Sequence, residues 1–445
     1  MEDRTKNTPL MKLIIQMSVP AVFSLLISAL YNFIDSIFVA QLGEYALTAV
    51  SLAFPIQTLI IAVGVGTGTG LGTMISIKLG EKDKDYANEI ANYTITIGII
   101  IGLIFAFLGA FFAKPFFNLF TDDPLVFQSG VEYTMIITIF SMASAIQLMI
   151  EKTIQATGDM ILPMFIVLIG AITNIILDPI LIFGYFGAPA LGVKGAAIAT
   201  VTGQFLAMSL GLFFFYKKDH GLAIGRPIFK LKRDKMKNIM SVGFPAIMMQ
   251  ALSSALIFIL NAVVAIYSET AVSVLGIYFK LQQFIYMPIF GISQGVRPIK
   301  SFFFGAQEKW KLKDTFKKAN ILTGTIMLIG SSIFIIFAPQ IIKVFNPSVE
   351  MLEMGVQALR IISTSFLFAG INIMYSTLFQ SIGEGRLGFT VSFLREFLII
   401  VPLALVFGRF FGLIGIWFSF LIAETITLLL THFFLLNYSS MKSVF

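Results

Sequence analysis

The sequence predicts an all-α integral membrane protein of twelve transmembrane helices in two six-helix lobes related by a pseudo-twofold axis. Three observations carry this: apolar runs of spanning length recur twelve times, the chain is 57% hydrophobic and only 12% charged, and its two halves align with each other. A soluble domain carries about 25% charged residues, so a mean hydropathy of +0.90 calls for a bilayer as solvent. The chain has 445 residues, and in such a protein the counting unit is the spanning helix, not the soluble domain.

The runs fall at about 13–38, 46–77, 90–113, 129–150, 160–184, 191–216, 237–262, 271–303, 317–338, 355–380, 388–408 and 412–436. Arg4, Lys6 and Lys12 precede the first, which lacks a small-residue cleavage site and reads as a retained helix. With both termini cytoplasmic, 24 of the 31 basic residues fall in loops and helix ends on that side. Lys114, Lys194, Lys343 and Arg409 fall on the other, and Lys280, Arg360 and Arg395 lie within spans. This asymmetry orients a multi-pass protein of the cell membrane.

The longest basic segment, Lys217 to Lys237, separates six helices from six. It divides the chain into an N-lobe (1–216), a cytoplasmic linker (217–236) and a C-lobe (237–445). A shift of 225 residues pairs Pro20 with Pro245, Gln57 with Gln282, Gly66 with Gly291, Gly70 with Gly295, Gly80 with Gly305, and QATGD at Gln155 with QSIGE at Gln380. After a small deletion, LGVKG at Leu191 matches FGLIG at Phe411. Six helices per repeat is an even number, so both halves share one topology, which points to a transporter.

Several function classes drop out. There are no cysteines, hence no disulfide, thiolate metal site or Cys nucleophile. Two histidines, His220 and His432, make no cluster. The net charge of +7 reflects basic loops and calls for no nucleic acid. No phosphate-binding GxxxxGK[ST] loop and no HExxH motif occurs, so neither direct ATP coupling nor an intramembrane enzyme is supported, and no organic cofactor is expected.

What remains to explain is charge inside spans. Asp35 interrupts the first run, and an Asp at a helix centre costs roughly 2.5–3.5 kcal/mol on insertion scales. Ser24, Ser28, Tyr31, Asn32 and Asp35 share one helical face, and Pro20 below them should allow a bend. In the fifth run, TNIILDPI sets Asn174 and Asp178 four residues apart on one face. Neither Asp can face lipid cheaply, so both are expected to turn to one site. Close carboxylates cannot both ionise easily in low dielectric, which makes the pair a proton acceptor, and with an amide oxygen and a hydroxyl it equally suits a hard monovalent cation such as Na⁺. Gly64, Gly68 and Gly72 form a small-residue ridge for close helix packing. Methionines such as Met142 suit an adaptable apolar wall, and Tyr31, Asn32, Met142 and Gln282 are the candidates for a substrate cavity.

YNFIDSIFVAQLG at 31–43, TNIILDP, the paired QATGD and QSIGE segments and the two six-helix repeats together resemble the multidrug and toxic compound extrusion (MATE) family over essentially the whole chain. The resemblance implies antiport of drug-like, often cationic compounds against H⁺ or Na⁺. It implies that Asp35 accepts the coupling ion with Asn174, Asp178 and a sixth-helix threonine, Thr200, and that Pro20 is the bending proline. The second half departs: the partner of Asp35 is Leu260, and the stretch matching TNIILDP reads IIVPLAL. It keeps Glu396, beside Arg395, and Glu424, with Lys280 and Arg360 also inside spans, and mutual charge pairing among them is expected. The alternative reading, a flippase for lipid-linked or polysaccharide precursors, rests on Lys280, Arg360 and Arg395. The chain is expected to act as a monomer in the bilayer, with small molecules as its partners.

Overall fold

In the computed structural model, residues 4–5 and 8–437 are described. Among them there is no strand. The first half holds α1 (Leu10–Ala40), α2 (Glu44–Gly80), α3 (Lys84–Ala91), α4 (Thr94–Phe120), α5 (Pro124–Ile139), α6 (Ser141–Ala156), α7 (Ile161–Phe183) and α8 (Val193–Lys217). The second holds α9 (Arg233–Ala265), α10 (Glu269–Gly305), α11 (Lys309–Ile336), α12 (Ala338–Lys343), α13 (Val349–Ser363), α14 (Phe366–Ser381), α15 (Gly385–Phe393) and, after a π-helical turn at Leu394–Ile399, α16 (Ile400–Asn437). Polar residues start these helices: Asp83, Asp123, Ser268 and Ser348 each accept a first-turn backbone N–H, worth about 1 kcal/mol apiece.

Eight stretches are long and apolar enough to span, and two bent pairs, α5–α6 and α13–α14, make ten. One of the eight, Gly385–Leu436, is broken at Gly412, whose φ of 63° leaves the helical region, so it supplies two spans. The last is α10, 37 residues long, whose hydropathy is diluted by Lys280, Gln282, Gln283 and Gln294. The twelve expected helices are thus present, with large apolar side chains such as Leu103 and Phe111 exposed along their flanks for lipid to cover.

The runs at 129–150 and 355–380 are not the straight helices their hydropathy suggests. They bend by 46° and 47°, at positions 225 apart. No proline or glycine marks either break. Hydroxyls do: Thr138 Oγ1 donates to the Thr134 carbonyl at 2.7 Å, Thr364 Oγ1 to Ile361 at 2.6 Å and Ser365 Oγ to Ile362 at 2.7 Å, drawing carbonyls away from the helical ladder.

The repeat extends to details the sequence does not print. Ser76 Oγ donates to the Ala156 carbonyl at 2.9 Å and its counterpart Ser301 to the Ser381 carbonyl at 2.8 Å. Lys82 and Gln307 both take positive φ, 62° and 56°, and so do Gly192 and Gly412, 58° and 63°.

Two compact units result. One is Phe23–Ile247; the other is Met248 onward together with the N-terminal residues up to Val22. The division therefore falls inside α1 and α9, at corresponding positions, and the basic linker belongs wholly to the first unit. Glycines explain this. A Cβ on Gly66 would meet the Ile247 side chain, and one on Gly70 the Gly243 backbone at 2.8 Å. In the second unit a Cβ on Gly291 would meet Val22, and one on Gly295 would meet Ser18 at 2.7 Å. Each repeat's second helix thus grips the start of the other repeat's first helix. The predicted ridge forms the opposite face of α2: Gly64 abuts Leu148, Gly68 abuts Lys152 and Met149, and Gly72 the Lys152 carbonyl, all on α6.

Candidate ion-coupling site

The site is assembled by α1, α7 and α8 in the first unit. Helical spacing puts Asn174 and Asp178 one turn apart on α7, which Gly184 ends in a left-handed conformation at φ 79°. The small residues of GAAIAT let α8 lie close: a Cβ on Gly195 would strike the Leu181 carbonyl, and one on Gly203 the Gly170 carbonyl at 2.7 Å. That approach carries the Thr200 hydroxyl to α7.

Asn174 Nδ2 donates to Asp178 Oδ1 at 3.2 Å and to Thr200 Oγ1 at 3.3 Å. Asp35, 8% exposed, faces the fully buried Asp178 within hydrogen-bonding range. Two carboxylates are acceptors only, so that contact is a bond when one of them carries a proton. Three buried oxygens, Asp35 Oδ1, Asp178 Oδ2 and Asn174 Oδ1, have no hydrogen-bond partner among the described residues. An orphaned buried oxygen costs about 1–3 kcal/mol, and what offsets it here is a ligand that accepts oxygen lone pairs: a proton or a hard cation. Among the described residues no group of three His, Cys, Asp or Glu could hold a metal ion.

The polar stripe on α1 is mostly self-satisfied. Ser28 Oγ and Asn32 Nδ2, and Ser36 Oγ beside them, donate to the carbonyls four residues earlier, at 2.9, 2.8 and 2.8 Å, whereas Asp35 turns to Asp178. Pro20 is buried within α1, which continues through it.

Of the four cavity candidates, Tyr31 is half-buried and close enough to Asp35 to feel its charge, while Asn32 is exposed. Met142 is committed to packing, its backbone set against Gly102 of α4. Gln282 belongs to the other unit, beside Tyr286. The motif reading passed over Tyr133, fully buried near Asp35 and Asp178, whose hydroxyl accepts from Gln57 Nε2 at 3.0 Å. It also passed over Glu151, buried on α6 and accepting from Gln147 Nε2 at 2.8 Å. Glu151 sits one residue past an apolar run, where a charge reads as a helix end.

The second unit has no copy of this arrangement. Leu260 is buried in apolar packing. Arg395 pairs with Glu396 at 2.5 Å and lies 3.7 Å from Glu424, which accepts from Asn372 at 2.7 Å. Lys280 and Arg360 are exposed and take no part.

Known proteins resemble this chain over most of its length. A family profile described as MatE matches residues 20–180 and 245–406, once in each repeat. The multidrug export protein MepA of Staphylococcus haemolyticus is 28% identical over 96% of this chain and 94% of its own; the MepA of Staphylococcus saprophyticus is 29% identical over 92% and 90%. A solved structure described as the outward-facing conformation of a multidrug resistance MATE family transporter of the MOP superfamily superposes with a TM-score of 0.88 at 25% identity, covering 96% of this chain and 95% of that one.

Proposed function

We propose, from the premise that this chain belongs to the MATE family, that it is a multidrug exporter driven by cation antiport through its first unit. It is a transporter and not an enzyme. Its substrates are drug-like small molecules, in line with the MepA relatives, which are described as multidrug export proteins, and the family resemblance extends this to amphipathic, often cationic ones. The observation that carries the coupling is the Asp35–Asp178 pair, with Asn174 bonded to both Asp178 and Thr200 and three buried oxygens without a hydrogen-bond partner among the described residues.

A proton entering this pair forms the carboxyl–carboxyl hydrogen bond and cancels one negative charge. Its loss restores repulsion between α1 and α7 at a point fifteen residues beyond Pro20. Export follows if the drug binds better to one charge state than to the other, because a ligand shifts a conformational equilibrium only by its differential affinity. Na⁺ is the second reading, favoured by the orphaned oxygens, which match a hard cation.

The test is drug efflux from proteoliposomes under a pH gradient alone and under a Na⁺ gradient alone, for the wild type and Asp35→Asn. Asn keeps the shape and removes the titratable charge. Unchanged gradient-driven efflux by Asp35→Asn would sink the proposal; the gradient that drives the wild type names the ion.

A further inference from the structure

The basic segment between the repeats is fastened along one edge and bare along the other. On the fastened edge, Asn88 Oδ1 accepts from the Ala223 N–H at 2.8 Å and Asn92 Oδ1 from the Gly225 N–H at 2.7 Å, while the Ile228 N–H donates to the Asn92 carbonyl at 3.1 Å. Glu89 then takes Lys235 at 2.6 Å and Lys232 at 2.9 Å. These bonds hold the segment to α3 and bury Leu222 and Lys235.

The opposite edge presents Arg226, Lys230, Arg233 and Lys237, all exposed, with Phe229 in their midst at 70% exposure. Among the described residues none of these four has a carboxylate within ion-pair distance, and residues 226–237 contain one acid, Asp234. Lys78, Lys311 and Lys318 are balanced locally, by Glu81 at 2.6 Å, Glu308 at 2.6 Å and Asp314 at 2.5 Å, whereas Lys82, Lys84, Lys309 and Lys317, like these four, have no carboxylate within ion-pair distance among the described residues. What sets the 226–237 segment apart is that its unpaired cations surround an outward phenyl ring. It lies directly before the apolar part of α9, which at about 1.5 Å per residue sets it in the headgroup layer.

We propose that the Arg226–Lys237 edge is a docking strip for anionic phospholipid headgroups. The cations meet lipid phosphates, and Phe229 reaches the acyl boundary beside them, the combination by which basic–aromatic segments hold to charged membrane surfaces. Because its other edge is bonded to α3, the strip would tie the first unit and the start of α9 to lipid composition.

The absence of cysteine makes the test direct. Phe229→Cys in the full chain carries a single environment-sensitive bimane, and the protein is placed in nanodiscs of phosphatidylcholine with increasing phosphatidylglycerol. The expected result is a shift of emission to shorter wavelength that follows phosphatidylglycerol and is reversed by high salt. Combining Arg226→Gln, Lys230→Gln, Arg233→Gln and Lys237→Gln should raise the phosphatidylglycerol fraction needed by about tenfold or abolish the response. Lys232 and Lys235 are left in place because they hold Glu89. Equal emission in neutral and anionic discs overturns the proposal, as does a wild-type shift insensitive to salt. A shift reproduced by soluble glycerol phosphate in neutral discs also overturns it, since the strip would then be a phosphate site.

Discussion

At the scale of single residues, Asn174 is the joint of the candidate coupling site, because one amide nitrogen serves both Asp178 and Thr200. Asn174→Leu is therefore expected to cost more than Thr200→Val. Stripping the buried carboxylate of its donor costs about 1–3 kcal/mol, which in gradient-driven efflux is roughly a tenfold loss or more; comparable rates for the two variants would count against this ordering. His220 gives a pH prediction outside the spans. Burial pushes its imidazole below the ordinary value, against the opposing pull of its contact with the Phe214 carbonyl and of Asp159 and Asp219, with Lys218 acting in the same direction as burial. A depressed His contributes stability that is full above its unfolded value of about 6.5 and is lost as pH falls through the folded one. The protection factors of amides in residues 220–228, taken against intrinsic exchange at each pH, should fall on acidification, and His220→Phe should flatten the profile. Of the four candidate coupling residues, Asp35 and Asp178 were legible because a carboxylate in an apolar run is conspicuous, Asn174 because i, i+4 spacing sets it on the face of Asp178, and Thr200 only through the family resemblance. Tyr133 was not, since a tyrosine among apolar residues looks like packing until its neighbours are known. Lys300, near the end of α10, is fully buried, 3.5 Å from the Met374 carbonyl, because α14 and α11 enclose the last turns of α10, a burial that hydropathy does not announce.

At the scale of elements, helix existence followed from hydropathy, but shape did not. The bends in α5–α6 and α13–α14 arise from hydroxyls returning to their own carbonyls, and such residues are common in straight helices too. Replacing Thr364 and Ser365 together by Ala should reduce the 47° bend, measurable as a lengthened distance between spin labels at the two ends. The glycine ridges were half legible. Spacing revealed the ridge toward α6, while the one toward α9 needed a partner from the other repeat. Gly70→Ala drives a methyl group into the Gly243 backbone and should destabilise by about 1–3 kcal/mol. Gly276→Ala, with nothing within 4 Å of the new carbon, should be neutral or stabilising by up to about 1 kcal/mol. Thermal melts of the two variants in the same detergent check this; equal melting temperatures would remove the ridge from the packing account.

At the scale of the whole molecule, the repeat was readable from a constant offset, and the offset recurs in bends, positive φ angles and paired hydroxyl bonds. Its consequence for assembly was not readable, because periodicity says which helices are alike and not which ones grip each other. A fragment ending at Lys217 lacks Arg233–Ile247, which the first unit includes. Expressed alone it should be cleared by proteases, and co-expression with 218–445 should protect both pieces; a fragment equally resistant by itself would show that the grip is dispensable.

The half-helix that each unit takes from the other repeat also bears on ancestry. A six-helix precursor with the same ridge would have left that groove open on its own surface and had its first helical turns unclaimed. Two copies could satisfy each other only by reciprocal exchange. Gene fusion would then have made a pre-existing exchanged dimer permanent, and freed one copy, the one that now has Leu260, to drop its carboxylate while the other kept Asp35.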